Sequence, residues 1–205
     1  MKLILSSFLI FFLTVTHSQA GIREDYRYFL ELTTSKTCLK LIKHMSKIAR
    51  NDEILFIKAF GGSWVPNGLE VKNSKQRKFL EIVKEGNSII KPEDKDAILS
   101  VFNQVGCQFD PNNITDVVLR GILERAILAR ADLVKKLKNG SAKYSDVWIV
   151  QAGTNAIMEE FLTYVIQKDP SILDDFMNDF QVYMQVLEKS MIPILKIIDK
   201  YDLQT

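Results

Sequence analysis

The chain has 205 residues, 47% hydrophobic and 25% charged, with a formal net charge of +2 at pH 7. This composition is typical of a folded globular protein and excludes a disordered or low-complexity chain. The length is sufficient for one sizeable hydrophobic core, so we expect a single folded domain.

The first predicted element is a secretory signal at residues 1–20. Lys2 precedes an apolar run from Leu3 to Val15, and the small residues Ser18 and Ala20 occupy the third-last and last positions before the expected cut. The apolar run is shorter than the roughly 20 residues of a membrane helix. We therefore expect cleavage after Ala20, a secreted extracellular protein, and one domain at residues 21–205 without a transmembrane segment.

Helical periodicity begins soon after the predicted cleavage point. Apolar residues recur at spacings of three and four from Phe29 to Phe60. Breaks are expected near Ser35 and Asp52, because short polar side chains cap helices. The segment Gly61 to Gly68 contains three glycines and a proline, so it predicts a loop that carries Trp64.

Further helices are predicted along the rest of the chain, at residues 69–85, 92–106, 114–138 and 141–168, and a last helix follows the restart at residues 169–171, with an apolar stripe from Leu173 to Ile198. The uncharged stretch Val147 to Met158, with small residues around Gly153, predicts the most buried helix. Pro193 predicts a kink or break in the last one. The expected fold class is all-α: a single-domain bundle of about seven to nine helices.

Two cysteines, Cys38 and Cys107, remain after the predicted cleavage. An even number in an oxidising compartment, without a metal-type spacing, predicts one disulfide bond between them. Closing a loop of about 70 residues stabilises a fold by roughly 4 kcal/mol in the chain-entropy model. Two unpaired buried thiols are the alternative.

Two sequons predict N-glycosylation of a secreted chain. Asn113 precedes Thr115, and Asn139 precedes Ser141, at the required spacing. Both asparagines fall at predicted helix ends, where the side chain is exposed and also suits a plain cap or turn. Each is therefore a predicted glycan site with a structural role as its alternative.

No catalytic motif is present. The only histidine after the predicted cleavage point, His44, follows Cys38 by six residues, a spacing that places the two on different faces of a helix. The sequence lacks GxSxG, HExxH and a glycine-rich phosphate loop, and its acidic residues match no calcium-loop spacing. We therefore expect a non-enzymatic protein without a cofactor or a metal ion.

Charge is unevenly distributed along the chain. Residues 36–91 contain 12 Lys or Arg and 5 acidic residues, whereas residues 159–179 contain 6 acidic residues and one lysine. Together with Trp64, the densest basic cluster predicts a surface for an extracellular protein, an anionic surface or a glycan. That cluster consists of Lys72, Lys75, Arg77 and Lys78. The chain is predicted to be secreted, and its basic residues do not alternate with aromatic ones. We therefore expect no nucleic-acid partner.

The uncharged helix suggests a second function. Helical bundles build ligand sites between helices, and Gln151, Thr154 and Asn155 are polar groups positioned to orient a headgroup. Hydrogen bonds to neighbouring helices are their plainer role. The sequence therefore predicts a secreted protein that acts through surface interactions. The alternative is an extracellular carrier of a small hydrophobic molecule such as a fatty acid or another lipid.

Overall fold

The computed structural model describes residues 21–32, 35–64, 71–103 and 109–203, with the backbone alone at residues 36, 37, 64, 179, 180, 182–187, 189 and 190. Within these ranges, no regular element other than a helix occurs, and one isolated bridge pairs Ile89 with Lys143. The all-α fold class is confirmed. The predicted signal at residues 1–20 lies outside the described ranges.

Eight α-helices and two 3₁₀ turns make up the described part of the chain. In chain order they are α1 (residues 21–32), α2 (Lys36–Asn51), α3 (Glu53–Phe60), a 3₁₀ turn (Gly61–Trp64), α4 (Ser74–Glu85), α5 (Pro92–Phe102), a second 3₁₀ turn (Pro111–Asn113), α6 (Val117–Asn139), α7 (Tyr144–Lys168) and α8 (Ile172–Lys200).

Short polar residues begin α2 and α3 at the predicted places. The Ser35 hydroxyl oxygen accepts a hydrogen bond from the Cys38 N–H at 3.1 Å. Asp52 Oδ1 accepts from the Leu55 N–H at 2.9 Å. Each bond satisfies a backbone donor of the first helical turn, which has no partner within the helix. The predicted breaks at Ser35 and Asp52 are confirmed.

Several later helices differ from expectation. Helices α4 and α7 begin at Ser74 and Tyr144 rather than at residues 69 and 141, and α5 ends at Phe102 rather than near residue 106. Helix α6 begins three residues late because Asp116 caps it, and Asp116 Oδ1 accepts from the N–H groups of Val118 and Leu119 at 2.8 and 3.1 Å. Helix α8 continues without interruption from Ile172 to Lys200, although Pro193 lies inside it. The predicted break at this proline does not occur.

Two groups of buried apolar side chains hold the helices together. The first, here called the α3 core, surrounds the fully buried Phe56 and Phe60 and joins α2–α5 to the second half of α6, the start of α7 and the end of α8. The second, the α1 core, surrounds Phe29 and Phe161, whose ring centroids lie 4.6 Å apart. It joins α1 to the first half of α6, the second half of α7 and the start of α8. Helices α6, α7 and α8 therefore extend from one core to the other.

The middle of α7 is not the buried segment that its composition predicts. Its buried residues lie at its two ends, whereas Gly153, Asn155 and Ala156 are exposed. A Cβ atom added at Gly153 meets no heavy atom within 4 Å. The prediction is wrong because α7 contributes one end to each core and spans the gap between them.

Two buried tyrosines connect separate helices within the α3 core. The Tyr144 hydroxyl donates to Asp94 and accepts from the Lys91 N–H at 3.2 Å. The Tyr201 hydroxyl donates to Glu53 Oε1 at 2.7 Å. Tyr144 thus joins the start of α7 to the start of α5, and Tyr201 joins the chain after α8 to the start of α3.

Candidate functional site

The predicted basic cluster forms an exposed surface at the start of α4. Its four cations are exposed, whereas Gln76 and Phe79, between and beside them, are buried. Among the salt bridges of the described residues, none involves these four side chains. We call them the α4 basic surface: Lys72, Lys75, Arg77 and Lys78.

A hydrogen-bond network fixes this surface against the turn that follows α8. Gln76 Nε2 donates to the Asp202 carbonyl oxygen at 2.7 Å, and Gln76 Oε1 accepts from the Lys72 N–H at 2.8 Å. Asn73 Oδ1 caps α4 by accepting from the Gln76 N–H at 2.9 Å, and Asn73 Nδ2 donates to Asp202 Oδ2 at 2.6 Å. The backbone between the cations is therefore held in place, while their charged ends remain in solvent.

The two cores carry opposite charge. Residues 21–32, 109–125 and 157–178, which build the α1 core, contain eleven acidic and five basic residues. Residues 35–64, 71–103, 126–156 and 191–203, around the α3 core, contain twenty basic and eleven acidic residues. The described segments around the two cores therefore carry net charges of opposite sign, although the net charge of the whole chain is only +2. The α4 basic surface lies at the positive end.

Trp64, the predicted aromatic member of this surface, has a side chain outside the described part of the structure. Its backbone ends the 3₁₀ turn, and that turn packs on a different tryptophan. A Cβ atom added at Gly62 would lie 2.4 Å from the ring of Trp148. The Trp148 indole therefore lies directly on the backbone at Gly62. Sequence reasoning missed this contact, for which the paired glycines at the turn were the available signal.

Alanine at Gly62 and alanine at Gly153 should change stability in opposite directions. At Gly62 the new methyl group overlaps the Trp148 ring, and we expect a loss of about 1–3 kcal/mol in the free energy of unfolding. At Gly153, in the exposed interior of α7, we expect a gain of up to about 1 kcal/mol from helix propensity. Urea unfolding followed by circular dichroism measures both. A loss of stability at Gly153 would contradict the open middle of α7.

Both predicted glycan acceptors are exposed, and their hydroxyl partners differ. Asn139 Oδ1 accepts from the Ser141 N–H and hydroxyl at 3.1 and 2.6 Å. Asn113 ends the second 3₁₀ turn, and its sequon hydroxyl, on Thr115, donates to Asp25 at 3.1 Å. Glycosylation at Asn113 and Asn139 stays a prediction.

The two predicted disulfide partners are not both described. Cys38 is buried near the start of α2, whereas Cys107 lies outside the described residues. The bridge between them stays a prediction. His44 is half-buried in the same helix as Cys38.

The three predicted ligand-facing residues bond within α7. Gln151 Nε2 donates to Asn155 Oδ1 at 3.2 Å, which confirms that these two side chains share one side of the helix. The Thr154 hydroxyl donates to the Val150 carbonyl oxygen at 2.8 Å. Their role as ligand contacts stays a prediction. They are not among the residues that line the cavity between α1 and α8.

A cavity of about 360 Å³ opens between α1 and the start of α8. Its α1 residues recur at spacings of three and four, which places them on one helix face. The described residues that line it are Arg23, Tyr26, Arg27, Leu30, Ile172, Asp175 and Asn178. Sequence reasoning did not find this cavity, because its two walls come from opposite ends of the chain.

The two arginines of the cavity differ in their partners, since Arg23 forms salt bridges and Arg27 forms none of those described. Arg23 Nε lies 2.6 Å from Asp169 Oδ2, and Arg23 Nη1 lies 3.8 Å from Asp175 Oδ2. The Ser171 hydroxyl and then Arg23 hold the pKa of Asp169 below its usual value, so this carboxylate stays ionised beside Arg23. Arg27 is exposed and forms none of the salt bridges of the described residues.

Comparisons with family models, with curated proteins and with solved structures give no match to this chain. In the described ranges, no group of three or more His, Cys, Asp or Glu side chains is arranged to hold a metal ion. None of the described helices has both the length and the apolar character that a membrane span requires.

Proposed function

We propose that the protein is a non-enzymatic extracellular binding protein whose α4 basic surface engages a polyanionic partner. The observation that supports this proposal is the exposure of four clustered cations that form none of the described salt bridges, although Lys78 acts at longer range on the carboxylate of Glu53: Lys72, Lys75, Arg77 and Lys78. Clustered positive charge attracts an anionic partner and speeds its association. The network around Gln76 supports the same proposal, since it holds the cation-bearing backbone in one position.

The charge separation between the cores also supports this mode of binding. A dipole is oriented by the field of a charged partner, so the positive end turns towards a polyanion while the α1 core turns away. The attraction acts over about 8 Å at physiological ionic strength and weakens as salt is added. Binding should therefore depend strongly on salt.

The proposal includes secretion through the signal at residues 1–20, a bridge between Cys38 and Cys107, and glycans at Asn113 and Asn139. The exposure of both asparagines supports the last part. The carrier alternative, with Gln151 and its neighbours facing a ligand, is less well supported because those residues bond within α7. Surface binding is therefore the preferred function.

Heparin chromatography tests the proposal. Changing all four residues of the α4 basic surface to glutamate should weaken heparin binding by roughly a hundredfold at physiological salt, because each lost ion pair contributes up to about 1 kcal/mol and each new carboxylate repels the ligand. The readout is the salt concentration at elution, supported by the dissociation constant at several salt concentrations.

The matched control places the same charge change on α2. Its four exposed cations lie along one helix face and form none of the described salt bridges: Lys40, Lys43, Lys47 and Arg50. We expect the α2 variant, with all four changed to glutamate, to retain most of the binding. Equal losses in the two variants would show that overall charge, rather than the α4 basic surface, attracts heparin.

A further inference from the structure

We propose that the cavity between α1 and α8 binds a small amphiphilic carboxylate, with Arg27 as the residue that holds the carboxylate group. The site is built from the α1 core and shares no residue with the α4 basic surface. It therefore does not depend on the proposed function.

The charge of the cavity selects an anionic group. Arg23 is engaged by Asp169, Asp175 and the Ser171 hydroxyl. Arg27, four residues further along the same face of α1, forms none of the described salt bridges. One cation of the cavity is thus left for a ligand. A guanidinium group binds a carboxylate through two parallel hydrogen bonds, which makes Arg27 the natural partner of such a group.

The remaining lining residues include apolar side chains that can contact the apolar part of a ligand. Tyr26 and Ile172 are 5% and 1% exposed and belong to the α1 core, and Leu30 packs against that core. Since Tyr26 and Ile172 are already buried, the apolar surface open to a ligand chain is mainly that of the half-buried Leu30, and covering it is favourable in proportion to the area. The side-chain amide of Asn178 offers both a donor and an acceptor to the ligand.

The volume limits the size of the ligand. A cavity of 360 Å³ lies in the lower part of the range for small-molecule sites. It corresponds to about twelve water molecules at the volume of the liquid, and hence to a ligand of about a dozen non-hydrogen atoms. Decanoate meets this limit and combines a carboxylate with an apolar chain.

The acidic residues around the α1 core do not oppose such a ligand strongly. Asp175, which lines the cavity, lies 3.8 Å from Arg23, which offsets its charge. The field of the acids outside the lining is screened beyond about 8 Å at physiological ionic strength, whereas Arg27 acts at direct contact. Glu24 and Glu31, the exposed acids of α1, follow a different spacing from the cavity residues and do not line the cavity.

Isothermal titration with sodium decanoate below its micelle concentration tests the site. We expect one molecule bound per chain, weaker binding of decanol, which lacks the charge, and no binding of acetate, which lacks the apolar chain. Arg27→Gln should weaken decanoate binding by about tenfold or more. Asn178→Trp, which places a large ring at the exposed edge of the cavity, should abolish it.

Arg50→Gln is the matched control, because Arg50 is also exposed, lies on α2 and does not line the cavity. It should leave decanoate binding unchanged. No binding of decanoate by the wild type, or equal affinities of the wild type and Arg27→Gln, would overturn the proposal. Decanol binding as tightly as decanoate would do the same. These outcomes are independent of heparin binding, so failure of the cavity site is distinguishable from failure of the α4 basic surface.

Discussion

Replacing Asp25 with alanine should lower the free energy of unfolding by about 3–5 kcal/mol. Asp25 is 1% exposed and accepts three hydrogen bonds from the segment before α6. Its Oδ1 accepts from the Thr115 N–H at 2.7 Å and from the Thr115 hydroxyl at 3.1 Å, and its Oδ2 accepts from the Asp116 N–H at 2.9 Å. Alanine leaves two backbone donors without this acceptor, and each such loss costs about 1–3 kcal/mol.

The position of these bonds explains why the effect should extend beyond one loop. Asp116 caps α6, so Asp25 connects α1 to the start of a helix that enters both cores. Urea unfolding followed by circular dichroism measures the loss. Glu24→Ala is the control, since Glu24 is the exposed neighbour on α1 and should change stability by less than about 0.5 kcal/mol. Equal effects of the two substitutions would contradict the structural role of Asp25.

Stability should fall steeply between pH 10 and pH 12 because of Tyr144 and Tyr201. Burial, and then the bond to Asp94, raises the pKa of Tyr144 from 10.0 to about 12. Burial, and then the bond to Glu53, raises the pKa of Tyr201 to about 12 as well. Since both folded-state pKa values lie above the ordinary value, the stabilisation is complete below pH 10 and is lost as the pH rises towards 12. The expected loss is roughly 2–3 kcal/mol per tyrosine.

Urea unfolding at a series of pH values, with tyrosinate absorbance recorded in parallel, measures this loss. Tyr201→Phe removes one ionisable hydroxyl together with its hydrogen bond to Glu53. The variant should start from a lower stability and lose about half as much between pH 10 and pH 12. An identical alkaline loss in the wild type and in Tyr201→Phe would rule out Tyr201 as a cause.

Local signals in the sequence predict much of the fold. Ser35 and Asp52 mark helix starts, because capping depends on a side chain and the backbone within three residues of it. The exposure of Lys72 and its basic neighbours is likewise predictable, since clustered cations avoid the interior. These features need no knowledge of distant contacts.

The sequence does not predict features that depend on contacts between residues far apart in the chain. The uncharged middle of α7 is compatible with burial, but only the arrangement of two cores shows that Gly153 is left outside both. The cavity joins Arg27 to Asn178, which are far apart in the chain, and neither residue is unusual in its local sequence. Trp148 shows the same limitation, because its contact at Gly62 crosses between α7 and the turn after α3.

The division of the interior into two cores has a consequence for cooperativity. Among the described residues, α1 belongs to one core and α2–α5 to the other, and both cores include parts of α6, α7 and α8. Regions that pack separately can open separately, each with its own free energy. A carboxylate bound in the proposed cavity site would stabilise the first unit, and a polyanion bound on α4 would stabilise the second. In the described part of the chain, coupling between two bound ligands would run along these three shared helices.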